Sequence, residues 1–284
     1  DIFVSELNAS GNVVWAKQMG GGLPDSAWGI AVDASGNTYT TGRFEGTADF
    51  DPGPDTADLT SAGYYDIFVS KLDGSGNFAW ARRMGGGFGD WGFGVALDAS
   101  GNVYTTGFFY GIVDFDPGPG TFILAGRGSD IFVSKLDAAG NYVWAKAMGG
   151  ATADVGLGVA VDAMGNVYTR GGFTGTADFD PGPGMFNLTS TVDLTSSWDA
   201  AFVSKLTPID SALPNVSVTS PTDLDTYSTT SSLQTLSGSA SDDVGVSLVS
   251  WSNDRGGSGS AVGTESWTVA DIALQLGVNV ITVT

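Results

Sequence analysis

Asp66–Gly86 reads DIFVSKLDGSGNFAWARRMGG; the same run stands at Asp1–Gly21 as DIFVSELNASGNVVWAKQMGG and at Asp130–Gly150 as DIFVSKLDAAGNYVWAKAMGG. A shortened copy, AFVSKL, begins at Ala201. Between the copies lie a GIAVDASGNTYTTG-type run from Gly29, Gly94 and Gly158, and a DFDPGP run from Asp49, Asp114 and Asp178. All recur at offsets of 65 and then 64 residues, so the unit is one supersecondary module copied in tandem. Repeats start at residues 1, 66 and 130, with a partial fourth at 200.

Strand signals dominate each unit. Ile30–Asp33, Thr38–Gly42, Ile67–Leu72 and Phe78–Met84 are rich in β-branched and aromatic residues and bounded by Gly, Asn or Asp. These runs predict four strands, A to D. Asp33–Asn37 joins the first pair and Asp73–Asn77 the second, with Gly and Asn supplying the positive φ that tight hairpins need. Four antiparallel strands repeated radially form the blade of a β-propeller. The expected fold class is therefore all-β, with about 3.5 four-stranded blades of about 65 residues over residues 1–206.

The runs GIAVDASGN, DFDPGP, DIFVSKLDGSGN and VWAK resemble the SBBP-type bacterial β-propeller repeat across residues 1–206. That resemblance implies a secreted or cell-surface bacterial protein and assigns no activity. TPIDSALPN at 207–215 reads as a linker, and 216–284 loses the repeat and turns to Ser, Thr and Val. NVSVTSPTD, LSGSASDDVGVSLVSWSND and GVNVITVT resemble a bacterial immunoglobulin-like β-sandwich with Trp251 as its core Trp. Such sandwiches run to ~100 residues, so the module is expected to lack its last strand. The unpaired edges expected at both ends of the chain would be covered by flanking domains of a longer parent or by self-association through strand addition. The start at Asp1, inside a repeat and without Met, reads as a piece of something longer.

The chain holds 43 Gly, no Cys and no His, with a formal charge of −20. This acidity argues against nucleic acid and anionic membranes as partners. No run is long and apolar enough to span a bilayer as a helix. Lacking His and Cys, the chain cannot build Ser-His-Asp or Cys-His nucleophile arrangements or imidazole-held zinc. Only a carboxylate pair of the glycosidase kind is left, and acids copied identically in three repeats do not read as one active centre. No enzyme is expected.

Alternation of strand direction sends the long B–C insert (43–65) and the MGGG-type D–A loops to one rim. Three acidic features converge there: Asp49/Asp51, Asp114/Asp116 and Asp178/Asp180; Asp25, Asp90 and Asp154; and Asp66 and Asp130. Asp-Phe-Asp places two carboxylates on one side of an extended segment and Pro-Gly-Pro exposes carbonyls, a set suited to calcium. The same residues suit, and favour, turns in which each Asp accepts its own backbone amides; Asp242 and Asp243 carry the same two readings, with the turn again favoured. Trp15, Trp80 and Trp144, Tyr39, Tyr104 and Tyr168, and Phe3, Phe68, Phe132 and Phe202 recur once per unit and read as packing between repeats. Trp28, Trp91 and Trp198 break the repeat near the loop-rich rim and are the candidates for carbohydrate contact. The functional expectation is a non-catalytic extracellular scaffold; the alternative is a glycan-binding accessory module.

Overall fold

The β-branched and aromatic runs of the repeat all form strands in the computed structural model, which describes residues 1–191, 200–207, 215–224, 226–241, 246 and 248–284. None of the described residues is helical, and the chain divides into two compact units, Asp1–Thr207 and Pro208–Thr284.

The first unit begins with an antiparallel pair, β1 (Ile2–Leu7) and β2 (Val13–Gly21). Six strands follow: β3 (Ser26–Val32), β4 (Thr38–Phe44), β5 (Thr47–Asp49), β6 (Asp58–Thr60), β7 (Asp66–Leu72) and β8 (Phe78–Gly86). The next copy comprises β9 (Trp91–Leu97), β10 (Val103–Asp114), β11 (Ile123–Leu136) and β12 (Tyr142–Gly150). The last described copy has β13 (Asp154–Val161), β14 (Val167–Phe173), β15 (Thr176–Asp178), β16 (Asn187–Thr189) and β17 (Ala200–Leu206). Strands β3-β4-β7-β8 and β9-β10-β11-β12 are antiparallel meanders in the A-to-D order that the sequence predicts. Strands β13-β14-β17 repeat the first three positions.

One element is absent from the sequence reading. The B–C insert folds back as a hairpin, β5-β6, and pairs with the D strand of the copy before it: Gly20 lies opposite Asp49 and Gly21 opposite Ala48. The same joint recurs as Gly85–Asp114 and Gly86–Val113, and as Gly149–Asp178 and Gly150–Ala177. Glycine is required because a Cβ on Gly21, Gly86 or Gly150 would run into the carbonyl oxygen of Thr47, Ile112 or Thr176. The A strands of successive copies also pack backbone to backbone. A Cβ on Gly29 would stand 2.8 Å from the Phe93 oxygen, and one on Gly94 2.9 Å from Gly158 Cα.

Apolar side chains between the sheets form three repeating cores, two of which contain Phe50, Phe68 and Phe44, and Phe109, Phe115 and Phe132. Tyr39, Tyr104, Trp15, Trp80 and Trp144 lie in or against these cores, as expected, whereas Tyr168 is half-buried outside them. Phe3 differs. Phe68, Phe132 and Phe202 are buried opposite Gly42, Gly107 and Gly171 of the neighbouring B strand, whereas β1 has β2 on one edge only and Phe3 is 76% exposed.

The second unit holds β18 (Asn215–Ser220), β19 (Leu233–Ser241), β20 (Ser250–Asn253), β21 (Ser258–Ser260), β22 (Ser266–Ala273) and β23 (Ile281–Val283). They form two three-stranded sheets, β18-β19-β22 and β21-β20-β23. Trp267, rather than Trp251, is the fully buried Trp: it lies opposite Gly238, whose missing side chain leaves room for the indole. Trp251 packs at the side of this core, and β23, within the GVNVITVT run, pairs with β20. Residues 208–214 of the expected linker, Asp242 and Asp243 lie outside the described residues.

Candidate functional site

The acids of the loop-rich rim sit where the strands of one copy meet those of the next, and their oxygens face backbone amides. Asp90, fully buried, accepts the Gly86 N–H and the Tyr110 N–H, both at 2.9 Å. Asp25 accepts from Gly21 at 2.7 Å and from Glu45 at 3.4 Å; Asp154 accepts from Gly150 at 2.8 Å and from Thr174 at 3.3 Å. Each of these carboxylates thus ties the end of a D strand to the end of the next B strand, beside the glycine pairing of the hairpin.

A second acid opens strand C alongside. Asp1 and Asp25 flank Gly20, where a Cβ would lie 2.9 Å from Asp1 Oδ1 and 2.6 Å from Asp25 Oδ2; Asp130 and Asp154 flank Gly149 in the same way. The counterparts of these pairs are Asp66 and Asp90. Asp66 Oδ2 accepts the Ala62 N–H at 2.8 Å and the Arg83 guanidinium at 2.7 Å, while its Oδ1 is buried without a partner. At the position of Arg83, the first copy has Gln18, which donates to Asp1 at 2.8 Å, and the third has Ala147. Burial, with the Asp66 charge added, pushes the Asp90 carboxyl up to about 7; burial and Asp130 push Asp154 up to about 6. Burial raises Asp66 and Asp130 as well.

In the DFDPGP turns the first Asp closes the hairpin. Asp49 Oδ1 accepts from Asp51 N–H and Ala57 N–H, both at 2.9 Å. Asp114 accepts from Asp116 and Phe122, and Asp178 from Asp180 and Phe186, in the same pattern. The second Asp accepts from the glycine two residues on, as Asp51 does from Gly53 at 2.7 Å. The intervening Phe50 and Phe115 are fully buried. These are the geometries of Asx turns. Among the described residues no group of three or more acidic side chains is gathered as a metal site would require.

The opposite rim carries the five Asp-x-x-Gly-Asn turns. Asp98 accepts the amides of Ser100 and Asn102, the Asn102 side chain at 2.7 Å and the Tyr104 hydroxyl at 3.0 Å, and Lys135 lies over the Tyr104 ring. The backbone amides and side chains of Asn77 and Asn141 hold Asp73 and Asp137 below the usual carboxylate range.

One joint is unlike the next. Trp28 and Trp91, from successive copies, stack at 5.3 Å with 13° between their planes. The Arg43 guanidinium lies 3.9 Å from the centres of both the Tyr65 and the Trp91 rings. Phe93 and Phe108 extend this cluster inward, and Tyr64 and Tyr110 extend it outward. The sequence separates Trp28 and Trp91 by nearly a full repeat, yet the topology makes them neighbours; Trp198 lies outside the described residues. Sequence reasoning missed Arg43 and Tyr65. The available signal was that Arg43 stands where the next copies have Phe108 and Gly172.

The acids brace joints, and the aromatic cluster presents an exposed, non-repeated surface. No family model matches the chain. An uncharacterized WD repeat-containing protein of Acanthamoeba polyphaga mimivirus is similar to it, at 27% identity covering 60% of this chain and 14% of that protein. The chain thus matches only about a seventh of that relative's length.

Proposed function

We propose that the chain is a non-catalytic scaffold: a β-propeller-type array of blades with an immunoglobulin-like companion, working by binding other proteins at the bacterial cell surface or outside the cell. The observation that carries this reading is the use of the repeated acids. In three successive copies the same carboxylates accept the same backbone amides, which is what a framework needs and what an active centre, with two carboxylates in different environments, does not. Antiparallel meanders joined strand-to-hairpin and the similarity to a WD repeat-containing protein support the propeller reading. Two packed three-stranded sheets around Trp267 support the immunoglobulin-like reading. The composition suits an extracellular repeat protein, and the proposal leaves calcium out because Oδ1 of the first Asp in each turn already accepts two amides.

Carboxylate-directed crosslinking of the native assembly, read by mass spectrometry, tests it. The expected result is links from the loop-rich rim to other polypeptides. Hydrolysis of glycosides by the purified chain, abolished in Asp90→Asn, would contradict it.

A further inference from the structure

We infer that the rim of the first joint docks a basic segment, rich in Arg or Lys, of a partner protein. This rests on the scaffold reading and names the chemistry of its partner. The joint is specialised: the positions of Trp28, Arg43, Tyr65 and Trp91 are occupied at the next joint by Phe93, Phe108, Ser129 and Val155. The chain's own Arg43 shows what this surface holds. Its guanidinium lies against Tyr65 and Trp91, with Trp28 at 5.5 Å, and forms no ion pair among the described residues. Rings that bind a guanidinium by their faces bind ammonium and guanidinium groups in general.

More ring surface of the same cluster faces solvent. Tyr64 is 69% exposed, Phe88 63%, Trp28 43% and Tyr110 42%. They are contiguous through Tyr64–Tyr65, Tyr65–Trp91 and Trp28–Trp91 contacts, and Phe88 lies against Gly111, next to Tyr110. Exposed aromatics of this number in one place mark an interaction surface. Charge selects the occupant. The chain carries 31 acids against 11 Lys and Arg, and among the described residues the Lys and Arg side chains on this rim are Arg43, Arg83 and Arg127; Arg83 is tied to Asp66 and Arg43 to the rings. Glu45, Asp51, Asp55, Asp58 and Asp116 of the inserts share the rim. A cationic segment gains from this field over the Debye length of about 8–10 Å; a neutral sugar gains nothing from it.

Fluorescence anisotropy with the 284-residue chain tests the inference, using labelled oligo-arginine, oligo-glutamate of equal length and a neutral gluco-oligosaccharide. The expected result is that oligo-arginine alone binds, that salt weakens it, and that Tyr64→Ala/Phe88→Ala lowers its affinity about tenfold. Both rings are exposed, so an unchanged melting temperature would show the variant folded; Trp28→Ala provides an independent second variant. Oligo-arginine binding that is equal in the wild type and both folded variants would show attraction to bulk acidity and overturn the inference. So would binding of the oligosaccharide but not the peptide, or of no probe at all. None of these results touches the scaffold reading, which stands or falls on the crosslinking and hydrolysis tests.

Discussion

At the scale of residues, the acids divide by what their oxygens touch. Asp49 Oδ1 holds two amides, so Asp49→Ala leaves both unpaired and is expected to cost about 1–3 kcal/mol in denaturant unfolding, with Asp49→Asn, which keeps the acceptor, well below that. Asp90 and Asp154 give an unusual pH dependence. An unfolded Asp titrates near 3.9, and folding raises these two to about 7 and about 6, so the folded state binds more protons across that interval. Their contribution to stability is complete below pH about 4 and is lost as pH rises through the folded values. The turn acids Asp73 and Asp137, which are lowered, act in the opposite sense: their contribution is present above the unfolded value and lost as pH falls. Thermal melts should therefore show stability declining from pH 5 to pH 8, and Asp90→Asn/Asp154→Asn should flatten that decline. An unaltered slope in the double variant would assign it elsewhere.

At the scale of elements, the MGGG run separates into glycines with different duties. A Cβ on Gly86 meets the Ile112 carbonyl, whereas one on Gly87 meets nothing within 4 Å. Gly86→Ala is expected to cost about 1–3 kcal/mol, and Gly87→Ala to be neutral within about 0.5 kcal/mol; equal effects would mean that the D strand and the insert hairpin are not packed at the joint. The strands themselves are legible in the sequence because alternation and β-branched composition are local signals. The joint is not. Gly20, Gly85 and Gly149 read locally as loop, and only pairing with Asp49, Asp114 and Asp178 makes them strand ends. The same limit applies to Trp251 and Trp267: both stand in strand-like runs, and what decides between them is Gly238 on a partner strand more than 20 residues away in sequence.

At the scale of the whole molecule, periodicity carries most of what can be read without coordinates. Recurrence at fixed offsets identifies the module, and alternating strand direction places all three kinds of acid on one rim. What recurrence cannot distinguish is a carboxylate that serves a ligand from one that serves the backbone, because both repeat equally well. Nor does it predict the Arg43 cluster, which exists because the copies differ. The central claim is that the repeated acids build the joints of a framework. Amide hydrogen exchange at Gly86 and Tyr110, the two donors to Asp90, tests it most directly. The account predicts that both amides are protected in calcium-free buffer and that in Asp90→Ala both exchange at least about tenfold faster, while Asn102, in the opposite rim's turn, is unchanged. Fast exchange at Gly86 and Tyr110 in the wild-type chain, or protection that appears only when calcium is added, would contradict it.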